Sequence, residues 1–151
     1  MLFQIKMITD KSEKINFIKV CDIAFPRGIS VRKNSCEIIN KINEYAFFYG
    51  AYAHENYLPI GYIAFYANDI NSLTAYISMI GVLSEYQGEG IGKALFKACV
   101  DKSLMNGMRF LRLEVDKSNK KAIELYEHMG LDFESEASND SYYMKMTIGK
   151  K

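Results

Sequence analysis

The sequence has little of what would point straight to a function. Lysine plus arginine number 19 and aspartate plus glutamate 18, a formal net charge of +1, and the basic residues are scattered. That excludes the electrostatic footprint of a nucleic-acid or membrane-surface binder. Only three cysteines occur, Cys21, Cys36 and Cys99, far apart and odd in number. They have neither metal-ligand spacing nor a redox pair, so they read as reduced, mostly buried thiols of a cytoplasmic chain with no bound metal. The two histidines, His54 and His128, fall in a predicted turn and near a predicted helix end. Neither is placed to activate a thiol, and both are expected at the surface. The start, Met1-Leu2-Phe3-Gln4-Ile5-Lys6, lacks the apolar region of a signal peptide. No apolar run is long enough to span a bilayer. Internal repeats, linkers and low-complexity blocks are also missing.

What is there is an ordinary globular balance: 151 residues, 49% hydrophobic and 25% charged. This suits one domain over 1–151 with room for a core. Patterning predicts a strand over 3–8, a helix over 10–24 and a second helix over 35–44. The first helix should turn Ile15, Ile18, Cys21 and Ala24 inward, and Phe25-Pro26-Arg27-Gly28 breaks it. Strands are predicted over 46–53, 60–66 and 73–82. In the last, Leu73, Ala75, Ile77 and Met79 are expected on one face, with Tyr76, Ser78, Ile80 and Val82 on the other. A helix from Ile91 to Met105, a strand over 110–115, a helix from Ser118 or Asn119 to Met129, and strands over 131–136 and 142–148 complete a mixed α/β order.

The most informative stretch is Gln87-Gly88-Glu89-Gly90-Ile91-Gly92-Lys93, a glycine-rich turn feeding a helix. Such a turn offers backbone N–H groups to an anionic phosphate. It is not a P-loop, because Gln87 and Ala94 occupy places that need Gly and Ser or Thr. Nor is it a dinucleotide fingerprint, which fails at Lys93 and belongs after the first strand of its unit. A turn that only redirects the chain remains the plain alternative.

Gln87-x-x-Gly90-x-Gly92 resembles motif A of the Gcn5-related N-acetyltransferase (GNAT) family. A second segment, from Leu113 through Asn119, Ala122, Leu125 and Tyr126 to Gly130, resembles its motif B. Leu131 stands where Phe is usual, and Phe133 is expected to supply the missing aromatic bulk. The resemblance is firm from about Tyr76 to Phe133. It implies a mixed, mostly antiparallel central sheet with helices on both faces and a splayed strand pair ending at Val82 and Val115. It also implies acetyl-CoA as cosubstrate. The pantetheine arm would bond backbone at Ile80, Gly81 and Val82. The pyrophosphate would sit on Gln87, Gly88, Glu89, Gly90, Ile91, Gly92 and Lys93.

In the same resemblance Asn119 bonds the pantetheine amide or caps its helix, with Ala122 beside it. Tyr126 is the acid for the departing thiolate, and a backbone N–H near Val82 is the oxyanion donor. Glu114 matches a base proposed in the ribosomal-protein alanine N-acetyltransferases; Glu85 and Asp116 are weaker candidates. Lys93, Lys97, Lys120 and Lys121 could meet the 3′-phosphate. The acceptor would be a small-molecule or peptide amine. Its choice falls to residues 25–45 and 136–143, which carry Arg27, Arg32, Lys33, Tyr45, Asp140, Tyr142 and Tyr143. Dimerisation is common in the family. Two other readings stay open: a non-catalytic acyl-CoA-binding sensor or interaction module, and a binder of another nucleotide diphosphate.

Overall fold

A computed structural model describes residues 2–25 and 33–149. The break at Pro26 to Gly28, and Arg27 and Arg32, lie outside the described residues. The elements are β1 (Phe3–Met7), α1 (Lys11–Cys21), α2 (Ser35–Tyr45), β2 (Phe47–Ala53), β3 (Pro59–Tyr66), β4 (Thr74–Val82), α3 (Ile91–Met105), β5 (Phe110–Asp116), α4 (Lys120–His128), β6 (Asp132–Glu136) and β7 (Ser141–Thr147). Local chemistry sets several of these bounds. Asp10 caps α1 by accepting the Glu13 N–H at 3.0 Å. Short 3-10 turns follow α1 at Asp22–Ala24 and β4 at Ser84–Tyr86. The second was not legible in the patterning.

The strands form one sheet of seven, in the order β1-β2-β3-β4-β5-β7-β6. Every neighbouring pair is antiparallel except β4 with β5. That parallel pairing lasts only from Thr74↔Phe110 to Ile77↔Leu113. Beyond it β4 stays on β3 as far as Val82, and β5 stays on β7 as far as Asp116. The sheet is therefore forked, as expected for the strands ending at Val82 and Val115.

Each face of the sheet carries its own core. On one side α3 and α4 cover Ala75, Ile77, Val82, Leu111, Leu113 and Val115. On the other, α1 and α2 cover Phe48, Tyr62, Ala64 and Met79. Burial of this apolar area is the main force holding the helices to the sheet. Helices thus lie on both faces.

The expected facing of β4 needs a correction. Ala64 pairs with Met79, but Phe65 pairs with Ile77, so Ser78 is an extra residue opposite β3. This bulge swaps the faces of everything after it. Met79 joins the α1–α2 core rather than Ala75 and Ile77, while Ile80 and Val82 pack on the α3 side with them. Alternation alone cannot reveal such an inserted residue.

Two further expectations change. Leu131 is fully buried and fills its own core site, whereas Phe133 is 60% exposed and meets Tyr142 edge-on across the β6–β7 pair. No aromatic compensation occurs there. In α1 the buried set is Lys14, Phe17, Ile18 and Cys21, not Ile15 and Ala24. Lys14 buries its stem and donates to Asn43 O at 3.2 Å. Burial, then repulsion from Lys11, lowers its pKa, against a partial attraction from Glu44. Cys21 and Cys99 are buried but Cys36 is exposed. His54 and His128 are both exposed, as read.

Candidate active site

The fork encloses a cavity of about 440 Å³. From β4 it is lined by residues 76–80, and from β5 by residues 113–116. The β5-facing edge of residues 78–82 has no partner strand among the described residues. It therefore offers backbone groups to any extended chain that enters.

Strand alternation sorts the lining by face. Leu113 and Val115 point into the α3–α4 core, so Glu114 and Asp116 point to the α1–α2 side. Tyr126 and Asn119 reach the same cavity from α4 on the opposite side. Two candidate chemical groups, Glu114 and Tyr126, thus approach one cavity from opposite faces of the sheet.

Tyr126 is half-buried against the α3–α4 core. Burial pushes its phenol up to about 12, so it stays protonated across physiological pH. Glu114 accepts a hydrogen bond from the Ser141 hydroxyl at 2.6 Å. Asn119 is the N-cap of α4, its side-chain oxygen taking the Ala122 N–H at 3.2 Å. Asp116, a weaker base candidate, has one oxygen committed to Ser118, 2.9 Å from its N–H and 2.7 Å from its hydroxyl. Glu85 is exposed on the 3-10 turn and does not line the cavity.

The glycine turn stands at the tip of β4, outside the cavity lining. Gly88 (φ +83°) and Gly90 (φ +85°) are both left-handed, and the space around each is open. Gly90 is the N-cap of α3, and no side chain among the described residues caps this end. The first N–H groups of a 15-residue helix are left facing outward there. Gly92 has an ordinary backbone, and Ile91 is 1% exposed, packed into the core beneath α3. Glu89 and Lys93 are exposed.

Gln87 does something the motif alone does not tell. Its amide donates to Val82 O at 2.9 Å, and its oxygen accepts from Lys121 Nζ at 3.1 Å. One side chain thus ties the end of β4 to the first turn of α4, across the fork. Lys121 is engaged there, while Lys97 pairs with Asp101 at 2.7 Å along α3.

Of the expected site residues, the cavity brings together Ile80, Glu114, Asp116, Asn119, Tyr126 and Asp140. Gly81 and Val82 adjoin it without lining it. Sequence reasoning missed Tyr76 and Ser78 as cavity residues, while Phe25, Ser138 and Ser141 fall in the segments 25–45 and 136–143 expected to set acceptor choice, though none was singled out. Strand pairing places Ser141 there, opposite Asp116 in the β5–β7 register.

The fold is that of solved acetyltransferases. PaiA N-acetyltransferase from Thermoplasma acidophilum, in complex with coenzyme A, is similar at a TM-score of 0.78 and 19% identity, covering 97% of this chain and 99% of that one. A NatC complex bound to Gag peptide and CoA is similar at a TM-score of 0.77 and 24% identity, covering 99% of this chain and 100% of that chain. The chain belongs to the acetyltransferase (GNAT) family, whose profile matches residues 19–131. Among curated relatives, the [ribosomal protein bS18]-alanine N-acetyltransferase of Escherichia coli (strain K12) is 38% identical over 72 residues, 48% of this chain and 47% of that protein. The chain spans less than half the length of that relative.

Proposed function

We propose that this protein transfers an acetyl group from acetyl-CoA to a primary amine. The observation that carries this reading is the forked cavity, entered by Tyr126 from one face and by Glu114 from the other. Two substrates can meet there without crossing: a thioester on the α4 side and an amine on the α1–α2 side. Three unpaired cysteines suit a reducing, cytoplasmic setting.

The residues fit the cosubstrate. The uncapped α3 end and the open left-handed glycines suit a pyrophosphate. The unpaired edge of β4 suits an extended pantetheine arm. Acetyl-CoA supplies the activated carbonyl. Glu114 takes one proton from the acceptor ammonium, leaving a free amine to attack. A backbone N–H near Val82 stabilises the charge growing on the carbonyl oxygen. The C–N bond forms and the C–S bond breaks.

Tyr126 donates a hydrogen bond to the departing sulfur. With its phenol near about 12, giving the proton outright to a thiolate, whose thiol titrates near about 8.5, would be uphill. The second amine proton is therefore the one that ends on sulfur, directly or through solvent.

The test is thiol release from acetyl-CoA with five amines: an alanyl peptide, a methionyl peptide, an Nα-blocked lysine amide, spermidine and glucosamine. Amine-dependent release with any of them supports the reading. Tight acetyl-CoA binding without release from any of the five would overturn it in favour of a non-catalytic acyl-CoA sensor.

A further inference from the structure

We propose that Ser141 is a positioning residue that holds the Glu114 carboxylate in its working orientation, through a directed hydrogen-bond chain from the β6–β7 turn. This rests on the reading of Glu114 as the base.

Ser141 opens β7 and is 7% exposed. Its Oγ lies 2.6 Å from Glu114 Oε2 and 2.8 Å from Ser138 Oγ. An ionised carboxylate can only accept. The Ser141 proton must therefore point at Glu114, and its oxygen must accept from Ser138. The Ser138 oxygen in turn takes the Asp140 N–H at 3.1 Å. The direction is fixed throughout: Asp140 N–H to Ser138, Ser138 to Ser141, Ser141 to Glu114. Donors aligned in this way polarise one another and strengthen the last bond.

The turn that carries the chain is itself anchored. Ser141 O accepts the Ala137 N–H at 2.9 Å, and Asp140 O accepts the Lys117 N–H at 2.8 Å. Its far end is thus tied to the loop leading from β5 to α4. Glu114 is on the exposed face of β5, where a glutamate side chain would otherwise sample several rotamers. The Ser141 hydroxyl selects one and occupies Oε2, which leaves Oε1 to meet the acceptor proton. Both serines and Glu114 line the cavity, so the chain ends where the amine must arrive.

The experiment compares Ser141→Ala, Ser141→Thr, Glu114→Gln and the double variant Ser141→Ala/Glu114→Gln, using the best amine of the five. Ser141→Ala should lower kcat about tenfold, the effect of one hydrogen bond to a charged group, with the KM for acetyl-CoA unchanged. Ser141→Thr should restore most of the rate. The double variant should be no slower than Glu114→Gln, because the hydroxyl acts only through that carboxylate. Carbon-13 NMR of the glutamate carboxyl groups gives a readout without turnover: the Glu114 signal should shift in Ser141→Ala and stay in place in Ser141→Thr. A slow Glu114→Gln with a full-rate Ser141→Ala overturns the positioning role and leaves the base standing. A full-rate Glu114→Gln overturns the base, and this inference with it. An unmoved Glu114 carboxyl signal in Ser141→Ala overturns the hydrogen-bond chain itself.

Discussion

Phe25 packs so closely on Gly81 that a Cβ at position 81 would lie 2.7 Å from the ring Cζ. The ring also meets Tyr62 at 5.6 Å between centroids and forms one wall of the cavity. The missing side chain in β4 is thus what admits an aromatic wall on the α1–α2 side of the cavity.

Gly81→Ala should therefore push Phe25 out of place. Its backbone angle is ordinary, so the effect is steric and falls in the overpacking range of about 1–3 kcal/mol. We expect a higher KM for the amine and little change in the KM for acetyl-CoA. Gly81→Ala combined with Phe25→Leu should regain stability. If the double variant is no more stable than Gly81→Ala in urea unfolding, the ring is not the obstacle.

Gly90→Ala tests the opposite situation. Space is open there, but φ is +85°. The left-handed backbone makes alanine unfavourable by about 1–2 kcal/mol. The helix start should relax away from its ligand-ready shape, so calorimetry should show weaker acetyl-CoA binding. Undiminished affinity would mean that the left-handed cap is not needed for the anion.

Tyr126→Phe should lower kcat by about ten- to a hundredfold, the effect of losing one hydrogen bond to a charged sulfur, and leave acetyl-CoA affinity nearly intact. The pH dependence follows from the phenol standing near about 12. It remains neutral below that value, so wild-type kcat should show no loss from its ionisation between pH 7 and about 10. An alkaline limb in that range that vanishes in Tyr126→Phe would contradict a high-titrating phenol.

The thiols give a stability prediction. Burial pushes Cys21 and Cys99 from 9.0 to about 12. In the unfolded chain they ionise near the lower value, so between the two the native state holds more protons. Stability is then fully present below about pH 9 and falls as pH rises toward 12. Urea unfolding from pH 8 to 11 should show that decline, reduced in a Cys21→Ala/Cys99→Ala variant. Near pH 8, only Cys36 should react rapidly with a thiol reagent, since only it is exposed.

Much of the fold was readable in the chain because its signals are local. Apolar periodicity marks the helices, and the glycines mark the turn before α3. The Asn119 cap is a short-range bond and was equally visible. The extra residue at Ser78 was not, because a bulge exists only relative to a partner strand. For the same reason Ser141 gave no sign of its tie to Glu114, a bond across 27 positions of sequence. Gln87 was read as a ligand contact from its motif. Its bonds to Val82 and Lys121 depend on where α4 packs, which no local pattern carries.

The two separate cores bear on how such a chain can change over generations. The helices α1 and α2 rest on Phe48, Tyr62, Ala64 and Met79. The helices that flank the glycine turn and Tyr126 rest on a different set of residues. Mutation can therefore remodel the first pair, and in the proposed reaction which amine is admitted, without disturbing the second. Specificity can drift while the cosubstrate machinery is inherited unchanged.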